Sequence, residues 1–187
     1  MNSGAETAAR LGRAGAVVQM VYGLLAVVFP HPRITERPFE VVWALAVAGM
    51  IATVVAWLRA DAGRPRMLGL VGGGLTIVGC SIRIVVALYG LARPEAAVDL
   101  PIVISIAFMF IGLALLGIAA LRSRQRTGGQ RWAPLIVLAG GLVAAPLYDP
   151  APVAHFIVLG LVWGATWFLM ASAAEVAARE RSEGVTS

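Results

Sequence analysis

The first candidate for chemistry in this sequence is an arginine that lies deep inside an apolar segment. Arg83 is roughly eight residues, or about 12 Å, from the nearer end of the apolar stretch 67–91. A charged side chain at such a depth costs a few kcal/mol and normally faces a protein interior or a wet cavity. Arg83 is therefore predicted to pair with an anionic group, which belongs either to a ligand or to a partner side chain.

Small residues share a helical face with Arg83, and a second such face surrounds Gln19 in the first apolar stretch. At about 100° per residue, the residues on the Arg83 face are Gly72, Thr76, Gly79, Ala87 and Gly90. Those on the Gln19 face are Gly12, Gly15, Tyr22, Gly23 and Ala26. Small side chains let helices approach closely, so the two faces are predicted to meet. Their contact is interpreted either as a structural hydrogen bond between Gln19 and Arg83 or as part of a ligand site.

Ionisable and aromatic side chains gather at the ends of the apolar stretches, on the side to which Arg83 is nearest. The acids there are Glu36, Glu40, Glu95, Asp99 and Asp149. For a binding protein, the predicted ligand set comprises Arg83, Gln19, Tyr22, Thr76, Tyr89, Tyr148 and His155. For an enzyme, the predicted acid and base groups are Glu40, Asp99, Asp149 and His155.

Each of these acids, and the histidine, also has a purely structural interpretation. Glu40 and Asp99 stand at helix starts, where a carboxylate caps backbone N–H groups and complements the helix dipole. Asp149 and Pro150 form an ordinary turn pair. A histidine near an interface, such as His155, is more often satisfied by packing than used as a ligand or base. Both interpretations stay open at the level of the sequence.

Several kinds of site are excluded by what the sequence lacks. Its single cysteine, Cys80, excludes a disulfide framework and a cysteine-based metal cluster. Two histidines leave little room for a multi-histidine metal or haem site, and the sequence has no H-E-x-x-H or G-x-S-x-G element. The sequence therefore predicts neither a metal nor a cofactor.

The composition is that of a membrane protein. Of the 187 residues, 59% are hydrophobic and 13% are charged, and the mean hydropathy is +0.85. Soluble domains are about 45–50% apolar and about 25% charged. Six apolar stretches approach or exceed the roughly 20 helical residues that a bilayer requires. They are residues 11–29, 39–58, 67–91, 100–121, 132–147 and 153–174.

The predicted fold is all-α, with six transmembrane helices in one bundle over residues 11–175. Residues 1–10 are predicted to be a short cytoplasmic N-terminus, and residues 176–187 a cytoplasmic tail. The fifth stretch spans only about 24 Å. Pro134 suits its first turn, and Pro146 is expected to stop or kink it. A tilted neighbour or a locally thinner bilayer would absorb the deficit.

All fifteen basic residues are arginines, and they are distributed unequally: eleven lie on one side of the predicted bundle, three on the other, and Arg83 lies within a span. Under the positive-inside rule, this asymmetry places both termini in the cytoplasm and requires an even number of crossings. The net charge of +5 is accordingly assigned to contact with anionic inner-leaflet lipid, and nucleic acid is not a predicted partner. The inner set is Arg10, Arg13, Arg59, Arg64, Arg66, Arg122, Arg124, Arg126, Arg131, Arg179 and Arg181, and the outer set is Arg33, Arg37 and Arg93.

The sixth stretch carries two glycines in G-x-x-x-G spacing and two tryptophans one helical turn apart. Gly160 and Gly164 predict a close helix contact, either within the bundle or across a homodimer. Trp163 and Trp167 lie mid-span and are interpreted as packing residues. The predicted partners are thus membrane lipids and a second copy of the chain.

Two short segments carry a resemblance to a known group of proteins. They are Ser81-Ile82-Arg83-Ile84-Val85 and Leu121-Arg122-Ser123-Arg124, the latter followed by Arg131-Trp132. In these segments the chain resembles small bacterial six-helix integral membrane proteins of an uncharacterised domain-of-unknown-function family. The resemblance implies a six-helix fold in a bacterial cytoplasmic membrane, and the all-arginine, Ala/Val/Gly-rich composition fits a bacterial source. That group carries a glutamate three residues after the intramembrane arginine, where this chain has Val86.

Three functions are compatible with the sequence. The leading hypothesis is a non-enzymatic binder or transporter of a small or lipid-like, anionic ligand, with an outward-facing cavity near Arg83. The first alternative is a membrane-embedded enzyme that acts on a lipid or isoprenoid. The second is an accessory or scaffold subunit whose glycine-rich faces bind a larger partner. A cavity at Arg83 favours binding or catalysis, whereas dry helix packing there favours the scaffold.

Overall fold

The structure is a computed structural model that describes residues 3–28, 37–60, 67–93, 99–123, 128–147 and 152–184. Within these residues the chain is almost entirely helical and has no β-strand. This confirms the predicted all-α class. The helices are α1 (Ser3–Val28), α2 (Arg37–Ala60), α3 (Met67–Ala92), α4 (Asp99–Arg122), α5 (Ala133–Ala144), α6 (Pro152–Ile157) and α7 (Trp163–Gly184).

The last two helices form one continuous rod. A π-helical turn, Val158–Val162, joins α6 to α7 without a break. We call α6, this π turn and α7 together the C-terminal rod. With the rod counted once, the described residues form six long helical elements.

Five of these elements are long and apolar enough to cross a membrane. The remaining element, α1, carries Glu6, Arg10 and Arg13 in its first half and Gln19 further along. The described chain thus has the helices of a multi-pass membrane protein. The five candidate spans are Glu40–Ala60, Met67–Ala92, Asp99–Arg122, Gly129–Leu147 and Ala154–Glu180.

Consecutive elements pack as antiparallel neighbours, and a ring closes where the C-terminal rod meets α1. Near the start of α1, Arg59 from the end of α2 donates a hydrogen bond to the Gly4 carbonyl (3.1 Å). Further along the same pair, Gly15 packs directly against Gly49. Because the rod also runs antiparallel to α1, the beginning of α1 and the end of α7 lie at the same end of the bundle.

The small-residue face of α3 packs against α4. A Cβ atom added to Gly72 would lie 2.6 Å from the backbone nitrogen of Leu116, and one added to Gly79 would lie 2.6 Å from the carbonyl oxygen of Ser105. Both added atoms would collide with backbone, so only glycine allows this approach. The close contact predicted for this face is confirmed.

The glycines of α1 have other partners. Gly12 packs against Thr53 of α2, and Gly23 packs against Gly160 of the rod, where an added Cβ would lie 2.6 Å from the Gly160 Cα. The prediction that this face meets the face of Arg83 is therefore wrong. Each small-residue face is filled by a sequence neighbour or by the rod that closes the ring.

The G-x-x-x-G pair of the rod is an internal contact. A Cβ added to Gly160 would overlap the Cα of Gly23, and one added to Gly164 would lie 2.8 Å from the Met20 side chain of α1. The G-x-x-x-G spacing left open a contact within the bundle or one across a homodimer, and the structure shows a contact within the bundle. A homodimer would have to use another surface, because α1 of the same chain covers this one.

Two helix boundaries follow from proline, and two others lie well outside the predicted spans. Pro134 lies in the first turn of α5, and Pro146 lies in the 3₁₀ turn Ala145–Leu147 that ends it, as predicted. The helices at the other end are longer than the spans. α1 begins at Ser3 rather than at residue 11, and α7 continues to Gly184 rather than ending at residue 174.

Candidate functional site

A cavity of about 410 Å³ lies at the end of the bundle opposite the described chain ends. Its polar wall brings together three predicted site residues, Arg83 from α3, Asp99 from α4 and His155 from α6. Asp99 is exposed at the first position of α4. The rest of the wall is predominantly apolar and includes Val47, Ile102, Ile106, Phe110, Leu159 and Trp163.

Arg83 is half-buried, and its guanidinium lies over an indole ring. Its guanidinium carbon lies 5.7 Å from the centroid of the Trp43 ring. Tyr22 packs on the same indole, with ring centroids 5.4 Å apart, and also contacts Phe156 at 6.2 Å. A cation held over an aromatic face gains about 0.5–2 kcal/mol. Tyr22 is thus a support for this arrangement and is itself 8% exposed.

His155 is oriented by the end of α5. Its Nδ1 lies 2.8 Å from the carbonyl oxygen of Ala144, the last residue of α5. A carbonyl oxygen can only accept, so Nδ1 carries the proton. In neutral His155, Nε2 is then the unprotonated, basic nitrogen.

The π turn releases the carbonyl that Gln19 binds. The backbone N–H of Trp163 donates to the carbonyls of Gly160 and Val158, and not to that of Leu159, its α-helical partner. The Gln19 side-chain nitrogen donates to the Leu159 carbonyl instead, at 2.7 Å. Leu159 lines the cavity, so the hydrogen bond from Gln19, which lies outside the lining, holds part of the cavity wall in place.

The predicted hydrogen bond between Gln19 and Arg83 is absent. Gln19 is completely buried, and its amide oxygen has no hydrogen-bond partner among the described residues. A guanidinium has only donors, so that oxygen is the one side-chain atom of Gln19 that could accept a hydrogen bond from Arg83. The prediction assumed that the faces of Gln19 and Arg83 meet, whereas α1 turns this face toward α2 and the rod.

Other predicted site residues lie outside the cavity wall. The hydroxyl of Thr76 donates to the Gly72 carbonyl within α3, and its side chain packs on Gly112 of α4. Tyr89 is 45% exposed and lines a separate, mainly apolar groove with Pro101. Glu40 is half-buried in the first turn of α2. The remaining candidates, Glu36, Glu95, Tyr148 and Asp149, fall outside the described residues.

A second polar cluster lies at the opposite end of the bundle and was not among the predicted sites. Glu175 of α7 has a side chain only 5% exposed, and its carboxylate lies 2.7 Å from an Nη of Arg13. Arg179 contacts the same carboxylate at 2.5 Å, and Arg10 lies 3.9 Å from it. The spacing of Glu175 and Arg179, one turn apart, was the only local signal, because the other partners come from the far end of the chain.

The two polar clusters are separated by about one hydrocarbon thickness. His155 and Glu175 lie about 20 residues apart along the C-terminal rod, which corresponds to roughly 30 Å. Within the described parts of the chain, no three His, Cys, Asp or Glu side chains are placed to hold a metal ion. The chemistry available to the cavity is therefore that of one guanidinium, one carboxylate and one imidazole in an apolar enclosure.

Comparison of the chain with protein-family models, with curated proteins and with solved structures gives no match. The function is therefore argued from the chemistry of the cavity and from the topology of the helices.

Proposed function

We propose that this protein binds a small amphiphilic ligand, with an anionic headgroup and an apolar body, in the cavity at Arg83. The observation that carries the proposal is the composition of its wall, where Arg83, Asp99 and His155 interrupt a predominantly apolar lining. Small-molecule sites typically enclose about 300–1,000 Å³ and combine apolar walls with few polar groups. The volume of about 410 Å³ lies within this range.

Arg83 is the group assigned to the headgroup. A guanidinium binds carboxylates and phosphates through two parallel hydrogen bonds, and it is more weakly hydrated than an ammonium group. The cation–π contact with Trp43 favours this position of the guanidinium before a ligand arrives, which lowers the entropic cost of binding. Asp99 and His155 discriminate between headgroups. The Asp99 carboxylate repels any further negative charge beyond the one that Arg83 binds, and the His155 imidazole accepts or donates a hydrogen bond.

Replacement of Arg83 separates a ligand role from a structural one. In lipid nanodiscs, we expect dodecyl phosphate to raise the Tm of the wild-type protein and dodecyltrimethylammonium to leave it unchanged. Arg83→Met is expected to fold but to lose the response to dodecyl phosphate, and Arg83→Lys to keep only part of it, because a point charge lacks the bidentate fork. The measurement is Tm with and without each amphiphile.

Arg131→Met is the matched control, since Arg131 is exposed at the other end of the bundle, ahead of α5. It removes the same charge and should respond as the wild type does. Equal responses to dodecyl phosphate in all four proteins would show that Arg83 is not part of the site.

We further infer that all six helical elements cross a bacterial cytoplasmic membrane, with both termini in the cytoplasm and the cavity facing outward. Two observations support this. An antiparallel ring of six elements returns the chain to the side on which it began. The described arginines are also concentrated toward that side, where Arg10, Arg13, Arg59, Arg122, Arg131 and Arg179 lie, whereas Arg37 and Arg93 lie at the other side.

Reporter fusions test this topology. A fusion after Glu183 is expected to give green fluorescence and no alkaline phosphatase activity, because phosphatase is active only outside the cytoplasm. A fusion after Arg93, at the end of α3, should give the opposite result. Phosphatase activity after Glu183 would refute the six-crossing topology and the outward orientation of the cavity.

One observation favours a second candidate, an enzyme that acts on a lipid or isoprenoid. His155 presents Nε2 as its basic nitrogen, and the Asp99 carboxylate lines the same cavity, so two groups that can accept a proton are available there. Incubation with an isotope-labelled lipid extract, followed by mass spectrometry, distinguishes the two candidates. A product that is formed by the wild type and lost in His155→Gln would establish catalysis.

A further inference from the structure

We propose that the arginines around Glu175 bind the phosphate of an anionic phospholipid in the leaflet at that end of the bundle. The site is distinct from the cavity at Arg83 and does not depend on it. It consists of Arg10 and Arg13 from α1 and Arg179 from α7, arranged about one buried carboxylate.

The buried carboxylate of Glu175 holds the arginines together but engages only some of their N–H donors. A guanidinium has five N–H donors, of which a carboxylate can engage two at most in a bidentate pair. The side chains of Arg10 and Arg179 are 64% and 56% exposed, and that of Arg13 is 34% exposed. Arg10 is therefore the member whose side chain is most exposed, and parts of the Arg13 and Arg179 side chains are exposed beside it.

The charges of the cluster do not cancel. Three arginines face Glu175, and Glu6 lies 3.9 Å from Arg10, which leaves one net positive charge. Arg59, bound to the Gly4 carbonyl at the same end, adds another, which the exposed Glu180 of α7 offsets. An excess of positive charge beside a low-dielectric medium attracts an anion, and the attraction is stronger there than in bulk water.

The position of the cluster favours the phosphate of a lipid over a free phosphate ion. It lies about 30 Å along the rod from the level of His155, which corresponds to the opposite boundary of the hydrocarbon. An apolar stripe on α1 continues from Arg10 toward the cavity end at helical spacing. It consists of Ala14, Val17, Val21 and Leu24, of which the last three are 45%, 46% and 53% exposed. When the phosphate of a lipid contacts Arg10, the acyl chain of that lipid can pack against this stripe. A free phosphate has no apolar part that could do so.

Binding can be measured by native mass spectrometry and by Tm in nanodiscs of defined composition. We expect phosphatidylglycerol to be retained by the protein in preference to phosphatidylcholine of the same chain length. Arg10→Gln is expected to weaken this retention about fivefold, as is usual for one basic residue at an anionic surface. Arg10 is the right residue to change because it is the most exposed member and lies farthest from the carboxylate, so the pairs of Glu175 with Arg13 and Arg179 persist.

Arg131→Gln is the control, because it removes the same charge at the same end from outside the cluster. It should retain phosphatidylglycerol as the wild type does. Equal loss in Arg10→Gln and Arg131→Gln would overturn the proposal, since the effect would then be one of overall charge. Retention unchanged in both Arg10→Gln and Arg179→Gln would also overturn it. Inorganic phosphate is tested separately, and a Tm increase equal to that of phosphatidylglycerol would overturn the assignment to a lipid.

Discussion

Replacing Gly160 with alanine is expected to lower the free energy of unfolding by about 3 kcal/mol, at the upper end of the usual cost of overpacking. The added Cβ would overlap the Cα of Gly23 and would lie 2.7 Å from the Gly23 nitrogen and 3.2 Å from the Gln19 carbonyl oxygen. All three are backbone atoms, so no side chain can rotate to make room. α1 and the C-terminal rod would have to move apart.

The separation would have a second consequence. Gln19 reaches the Leu159 carbonyl from α1, and this hydrogen bond lies beside the Gly23–Gly160 contact. Moving the helices apart would lengthen the bond and leave both groups unsatisfied in an apolar interior. A loss of about 3 kcal/mol corresponds to a decrease in Tm of roughly 6–12 °C for a chain of this size.

Gly74→Ala is the matched control for Gly160→Ala. Gly74 also lies within a helix, but a Cβ added there meets nothing within 4 Å. Its replacement is expected to be neutral or to stabilise by up to about 1 kcal/mol through helix propensity. Equal Tm values for the two alanine variants would contradict the contact between α1 and the rod.

Replacing Glu175 with leucine is expected to destabilise the protein by about 2–3 kcal/mol. Removal of the carboxylate leaves Arg10, Arg13 and Arg179 facing a common point without their counter-charge. Breaking a buried pair typically costs about 3–5 kcal/mol, and the expected loss is smaller here because the arginines are partly exposed and can be hydrated. Thermal unfolding of the two proteins in the same nanodiscs measures the difference.

A double-mutant cycle identifies the origin of the loss. Glu175→Leu combined with Arg13→Leu should recover much of the stability of the wild type, because an apolar pair often replaces a buried ion pair at little cost. Glu180→Leu serves as the control for the single change, since Glu180 is exposed on the same helix. A loss in Glu180→Leu as large as that in Glu175→Leu would show that the cluster contributes nothing specific to stability.

The sequence determined the helical architecture because its physical causes are local. Runs of apolar residues, a helical period in the small side chains and the positions of Pro134 and Pro146 are each set by neighbours within a few turns. They predicted the all-α class, the positions of the helices and the end of α5. The sequence likewise placed Arg83, Asp99 and His155 toward one end of the bundle. Arg83 lies toward the end of one predicted helix and the other two near the starts of later helices, and in an antiparallel bundle these positions lie at the same end.

Only the tertiary structure decided which face meets which. Gln19 binds the Leu159 carbonyl, and not Arg83, because a π turn freed that carbonyl, and no local pattern in the sequence marks a π turn. Gly160 meets Gly23 within one chain, although its spacing is equally suited to a dimer.

The Glu175 cluster joins residues from opposite ends of the chain, so its partners could not be read from spacing. A face of small residues specifies that some helix approaches closely. The identity of that helix depends on how the whole ring closes, which is a property of all the contacts together.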